Sequence, residues 1–233
     1  MESKGVWLPA LRDKPCLMSK ALPLNNRFCL LGFALLLTTA CAAEGEGQGQ
    51  RPDASLTDAS PGQSDFSVLF KTSAGDFTVD VTRSWSPNGA DRFRELVEEK
   101  FYDDTRFFRV VSGFVVQFGI SGSPAVNMIW NSMTIPDDPV VQSNTRGYLT
   151  FAAGTDPNSR TTQLFINYVD NSFLDSSGFA PIGVIQGSGM QSVDAINAEY
   201  AERPQQPEIQ LRGNEYLDAQ FPRLDRIITA TIQ

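Results

Sequence analysis

The sequence predicts a mainly β protein: a closed eight-stranded antiparallel barrel capped by two α-helices. Three observations predict it. Eight short apolar segments recur between residues 66 and 233, bounded by Gly, Pro, Asn, Asp and Ser. The clearest of them alternate apolar and polar residues with period two. Only two stretches carry an apolar stripe at helical spacing. The strands must therefore supply most of the core, and a barrel buries one face of eight strands without leaving open edges.

FSVLFKT and DFTVDVT flank Ser73, Ala74 and Gly75 and read as a hairpin. In its second arm Phe77, Val79 and Val81 share one face, and Thr78, Asp80 and Thr82 the other. Residues 86–105 then hold one amphipathic helix about three turns long, with Ser86 or Asn88 as N-cap. Ala90, Phe93, Leu96 and Val97 form its buried stripe, and Arg92, Arg94, Glu95, Glu98 and Glu99 a solvated face. The further strands are TRFFRVV, GFVVQFG, GYLTFAA, TQLFINY, FAPIGVI and RIITATIQ. The second helix falls over MQSVDAINAEY, with Met190, Val193, Ile196 and either Ala198 or Tyr200 inward. The GSG at residues 187–189 reads as a turn before it. The connection from Ser121 to Arg146 is long enough to suggest a functional loop.

The first 65 residues differ in character. FCLLGFALLLTTA, residues 28–40, is an apolar run of thirteen preceded by Arg27. That length suits a signal-peptide core better than a membrane span. The run ends on LLLTTAC, whose small residues before Cys41 resemble a bacterial lipobox, with Cys41 as the lipidated residue. The alternative is an ordinary secretory signal cut near Ala40 or Ala43. Met18 would leave a more usual n-region than Met1. Residues 1–40 are read as signal peptide, 41–65 as a Gly-, Ser-, Gln- and Asp-rich flexible linker, and 66–233 as the folded domain. The chain is expected to be exported to the periplasm and held there by a lipid. Alanine rather than aspartate after Cys41 favours the outer membrane.

Composition limits the chemistry. There is no histidine in the 233 residues. That excludes Ser-His-Asp and Cys-His nucleophilic catalysis, a histidine base and any histidine-containing metal site. The net charge of −8, without a long basic run, argues against a nucleic-acid partner. Of three cysteines, Cys16 and Cys29 lie in the expected signal, so the exported chain would keep only Cys41 and could form no intrachain disulfide. What remains is Arg109 in FFRVVSGFVVQFG, a guanidinium costly to bury unpaired. Gln117 and Gln163 also sit in apolar strands, and Phe114, Phe165, Phe173 and Phe179 recur around them. This suggests an apolar pocket edged by donors, with one fixed cation. Period-two alternation puts Arg109 on the side of Phe107 and Val111, and Gln117 on that of Val115. With no nucleophile or acid–base pair, an enzyme built this way works by positioning and electrostatics.

FYDDTRFFRVVSGFVVQFG resembles the cyclophilin signature FYxxTxFHRVxxGFxxQxG. RGYLTFAAG, TTQLFIN and NSFLDSSGFAPIGVI resemble the cyclophilin segments that follow, in order, and GNEYLDAQFPRLDRIITATI the end of bacterial members. The resemblance implies a cyclophilin-like barrel and peptidyl-prolyl cis–trans isomerase activity on proline-containing polypeptides, as a monomer, without cofactor or metal. It implies that Arg109 is the catalytic arginine and that Gln117 orients it or contacts the substrate carbonyl. Phe114, Val115 and Phe165 would wall the proline pocket, and Ala152 and Gln163 the neighbouring groove. Ala153 stands where many members have Asn, Phe173 where Trp is frequent, and Phe179 near a common pocket His. Phe108 replaces the His before the arginine. Together these make the pocket more apolar. The alternative is a module of the same fold that binds proline segments with little turnover.

Overall fold

The computed structural model describes residues 64–233. The expected signal peptide, Cys41 and all but the last two residues of the expected linker lie outside them. Eight strands form one antiparallel sheet: β1 (Phe66–Thr72), β2 (Phe77–Val81), β3 (Arg109–Val110), β4 (Val115–Phe118), β5 (Tyr148–Phe151), β6 (Leu164–Asn167), β7 (Pro181–Ile185) and β8 (Ile227–Ile232). Their order is β3-β4-β6-β5-β7-β2-β1-β8.

The sheet curls but remains an open half-barrel, which corrects the expected closed barrel. Its two edge strands share no ladder. β3 is only two residues long, and a single bridge between Arg106 and Arg226 spans the seam. Elsewhere the predicted strands pair in definite register. Phe66–Val81 to Phe70–Phe77 define the first hairpin, with Gly75 at φ 122° in its turn. Between β5 and β7 the register slips at Leu149/Thr150, opposite Pro181, whose ring nitrogen has no hydrogen to give the ladder.

One face of the sheet carries the main core. Val68, Phe70, Val79, Val116, Phe118, Leu149, Leu164, Ile166 and Ile182 are at most 1% exposed, and an aromatic cluster fills the centre. Phe118 meets Phe70, Tyr102 and Phe107 edge-on at centroid distances of 5.9, 5.7 and 5.4 Å. Burial holds the Tyr102 hydroxyl well above its ordinary pKa, and it donates to the Thr162 carbonyl at 3.1 Å.

α1 (Pro87–Glu98) covers this core with Ala90, Phe93, Leu96 and Val97, as its periodicity predicts. Two of its details differ. Its N-terminus is capped from a distance: the Asp138 carboxylate accepts from the Asn88 and Gly89 amides at 3.1 and 2.8 Å. The Ser86 hydroxyl donates instead to Pro181. Arg92 is buried rather than solvated. It pairs with Glu95, donates to the Met133 carbonyl, and lies 5.3 Å from the Trp130 ring centroid.

The described residues contain five α-helices, not two. The 121–146 connection holds α2 (Pro124–Trp130). The helix predicted over residues 190–200 is only α3 (Met190–Asp194), although Val193 and Ile196 do point into the core. It stops early because the Asn197 amide is taken by the Asp225 carboxylate at 2.7 Å. α4 (Gln206–Arg212) and α5 (Asn214–Gln220) follow, broken at Gly213. That residue has φ 58° and ψ −143°, and a Cβ there would lie 1.9 Å from the Gly122 carbonyl oxygen. Phe108, Ile120, Ile209, Tyr216 and Leu217 form a separate apolar cluster against these helices. Phe108, 1% exposed, therefore packs on α4 and α5 and adds nothing to a pocket around Arg109. Phe107 faces the main core with Val110, so alternation breaks at Phe108 and Arg109 does not share a face with Phe107.

Candidate active site

On the sheet face turned away from the main core, strand register aligns four residues in a row. Arg109 of β3 pairs with Gln117 of β4, Gln117 with Phe165 of β6, and Phe165 with Thr150 of β5. Side-chain hydrogen bonds follow part of this row. Arg109 Nη1 donates to Gln117 Oε1 at 3.2 Å, and Gln117 Nε2 donates to Gln163 Oε1 at 2.8 Å. The Ala152 amide then donates to the Gln163 carbonyl at 2.9 Å. Arg109, Gln117, Gln163 and Ala152 are thus linked in sequence. Gln117 is 8% exposed, whereas the Arg109 side chain keeps 27% of its surface accessible, so the guanidinium is fixed yet reachable.

Aromatic rings stand at both ends. The Arg109 guanidinium carbon lies 5.6 Å from the Phe114 centroid, and Phe114 stacks on Phe173 at 6.1 Å and 16°. Phe173 is 63% exposed, on a short 3-10 turn at Ser172–Ser177. Phe165 meets Phe179 edge-on at 5.7 Å, and Arg160 lies 5.7 Å from the Phe179 ring. Val115 is buried, and Ala152 and Ala153 are half-buried. Direct contacts or strand pairing therefore connect Arg109 with Gln117, Gln163, Phe114, Phe173, Phe165 and Phe179. A separate cavity of about 270 Å³, lined by Ser112, Arg146, Tyr168, Asp194 and Ile196 among others, includes none of them.

Two groups of residues at this site have no local signal in the sequence. Glu202 is 93 positions from Arg109, yet its Oε1 accepts from Arg109 Nε at 2.6 Å and forms an ion pair with Nη2 at the same distance. The second group is a buried polar layer. Asn144 Nδ2 donates to Asp175 and to the Phe179 carbonyl, and Asn144 Oδ1 accepts from Thr150 and Asn167. Asn171 donates to Asn167 and to the Phe114 carbonyl at 3.0 Å. This layer ties the backbones of Phe114 and Phe179 to one network. The only hint of it in the sequence is an asparagine closing the apolar run LFIN.

Asp175 anchors the layer. Partial burial alone would raise its pKa. The Ser143 hydroxyl, the Asn144 side-chain amide and the Asn144 backbone amide together outweigh this and hold the carboxyl below its ordinary range.

Fold and site together define a half-barrel with one fixed, accessible guanidinium beside aromatic rings. Residues 67–213 match the family described as cyclophilin type peptidyl-prolyl cis-trans isomerase. The chain belongs to that family. It is 34% identical over 136 residues to a peptidyl-prolyl cis-trans isomerase of Acinetobacter baylyi, covering 55% of this chain and 70% of the relative. It is 34% identical over 120 residues to peptidyl-prolyl cis-trans isomerase B of Escherichia coli, covering 48% and 68%. Among solved structures, a cyclophilin type peptidyl-prolyl cis-trans isomerase of Cryptosporidium parvum has a similar fold, with a TM-score of 0.55 and 19% identity over 72% of this chain and 98% of that one. A cyclophilin from Hirschia baltica gives a TM-score of 0.53 at 16% identity, over 73% and 74%.

Proposed function

We propose that the chain accelerates rotation about X-Pro bonds in proteins of the bacterial cell envelope, with Arg109 as the catalytic residue and Gln117 positioning it. The observation that carries this reading is the fixed guanidinium: Arg109 is held by Gln117, lies against Phe114, and is still open to solvent. Amide resonance sets a barrier of about 18–20 kcal/mol to this rotation. At the perpendicular transition state the resonance is lost and the proline nitrogen becomes pyramidal and basic. A donor aimed at that nitrogen favours the twisted form over both planar forms. Each ~1.4 kcal/mol of such preference gives about tenfold in rate. Phe114, Val115 and Phe165 would hold the proline ring. Ala152, Ala153, Gln163, Phe173 and Phe179 would line the flanking groove. No covalent step is required.

In a protease-coupled assay on a short Xaa-Pro peptide, wild type should catalyse isomerisation. Arg109→Ala should lose about a hundredfold in kcat/KM, with circular dichroism unchanged. Removing a single donor from an electrostatic site commonly costs about 10²–10³. Equal rates for the two proteins would leave only a proline-binding module of the same fold.

The chain is further proposed to act as a monomer, tethered in the periplasm through a lipid on Cys41. Support for this comes from the apolar run at 28–40 and the polar linker that follows. A palmitate analogue should label the wild-type protein and not Cys41→Ser. Labelling of the variant would remove the anchor.

A further inference from the structure

We infer that Glu202 is a specificity-determining residue: it cancels the charge of Arg109 and makes the site favour neutral or basic residues beside the proline over acidic ones. The inference rests on the reading of Arg109 as the substrate-facing cation. An unpartnered arginine at the mouth of an apolar site would draw in acidic peptides. Here two of its three nitrogens, Nε and Nη2, face one carboxylate oxygen at 2.6 Å, and the third is occupied by the neutral Gln117. A guanidinium has five N–H donors, so hydrogens on Nη1 and Nη2 remain for a substrate. The guanidinium can still donate, while the Arg109–Glu202 pair as a whole carries no net charge.

Glu202 is well placed to act on a bound peptide. It is 59% exposed, and among the described residues no group donates to its second oxygen, which is free toward solvent. Its loop is fastened to the catalytic strand: the Val110 amide donates to the Ala201 carbonyl at 3.1 Å, with Ala201 at φ 49°. The neighbouring Arg203 offers no compensation, because it turns back onto the Tyr200 ring and the Glu199 carbonyl. The other end of the site follows the same pattern. Arg160, against Phe179, is paired with Asp137 and donates to the Gly178 carbonyl. The remaining predicted site residues, Phe114, Val115, Gln117, Ala152, Ala153, Gln163, Phe165, Phe173 and Phe179, are uncharged. The two arginines that touch the predicted site rings, Arg109 and Arg160, each have their own carboxylate, so an acidic side chain entering the groove finds no unpaired cation on either of them, and it meets the free oxygen of Glu202.

The test compares full-chain wild type with Glu202→Gln on two chromogenic peptides that differ only in Lys or Glu before proline. Glutamine keeps an acceptor for Arg109 and removes only the charge. Wild type should prefer the Lys peptide. Glu202→Gln should shift the Lys/Glu ratio of kcat/KM toward Glu by about three- to fivefold, the size expected for one charge near a surface. The shift should vanish near 1 M salt, where the screening length falls to about 3 Å. Glu202→Asp should restore the wild-type preference. An unchanged ratio at low salt would overturn the inference, and so would a shift that salt does not touch. Fluorescence anisotropy with labelled forms of both peptides separates this from the catalytic reading. If no peptide is turned over but the binding ratio shifts as described, the selectivity stands and the catalysis falls.

Discussion

The two faces of the sheet are built on opposite principles. The inward face is apolar and aromatic: Phe70, Phe107, Phe118, Leu149 and Ile166 are fully buried and interlock without any specific polar contact. The outward face under the site is also buried, but by polar side chains. Thr150, Asn144 and Asn167 are inaccessible to solvent, and each is hydrogen-bonded. The first face is held by close packing and desolvation, which need matching shape but no particular orientation of paired groups. The second needs direction as well, because each buried polar group needs its own partner at the right angle. The inner face accordingly supplies stability, and the outer one fixes where Phe114 and Phe179 stand.

Substitution on each face should separate these roles. Phe118→Ala removes a ring that touches three other aromatics, and urea unfolding should show a loss of about 3–5 kcal/mol. Its kcat/KM per folded molecule should change less than twofold, because its neighbour Gln117 points to the other face. A tenfold drop in activity would mean that the two faces are coupled. Asn144→Ala should cost less stability, about 1–3 kcal/mol, from the partners it leaves unsatisfied. Its signature is kinetic. The Phe179 carbonyl is released while Arg109, Gln117 and their hydrogen bond are untouched, so KM should rise several-fold with kcat nearly unchanged. An equal fall in kcat would show that the layer supports the catalytic donor as well as the groove.

The same contrast explains how much could be read from the sequence. The strands and the stripe of α1 were legible because local period-two and 3.6-residue patterns encode which side faces the core. Arg109 and Gln117 were legible because charge and amide groups stand out in apolar strands. Glu202 was not, since an exposed glutamate in a polar loop looks like any solvated charge until the fold brings it across 93 residues. Asn144 and Asn171 were missed for the same reason: their partners are distant in sequence. The open seam depends on β3 being two residues long, and alternation alone gives no sign of the break at Phe108. Phe108 itself stood beside the arginine in sequence yet belongs to the cluster under α4 and α5, two short helices separated at Gly213 and without any long apolar stripe.

The smallest expected effect sharpens the comparison through pH. Asp175 is the one carboxylate in the outer layer, and the hydrogen bonds from Ser143 and Asn144 hold its folded pKa below the ordinary aspartate value. A group with a depressed folded pKa stabilises the native state above its unfolded pKa, about 3.9 for aspartate, and that contribution fades as pH falls through the folded value. The stability difference between wild type and Asp175→Asn should therefore be full at pH 6 and shrink below about pH 4. Urea midpoints taken from pH 6 to pH 3 would show it. The inner face has no carboxylate among its core residues, so Phe118→Ala should give a difference from wild type that does not narrow over the same range. A parallel narrowing in both variants would place the acid sensitivity elsewhere in the protein and remove Asp175 as the anchor of the layer.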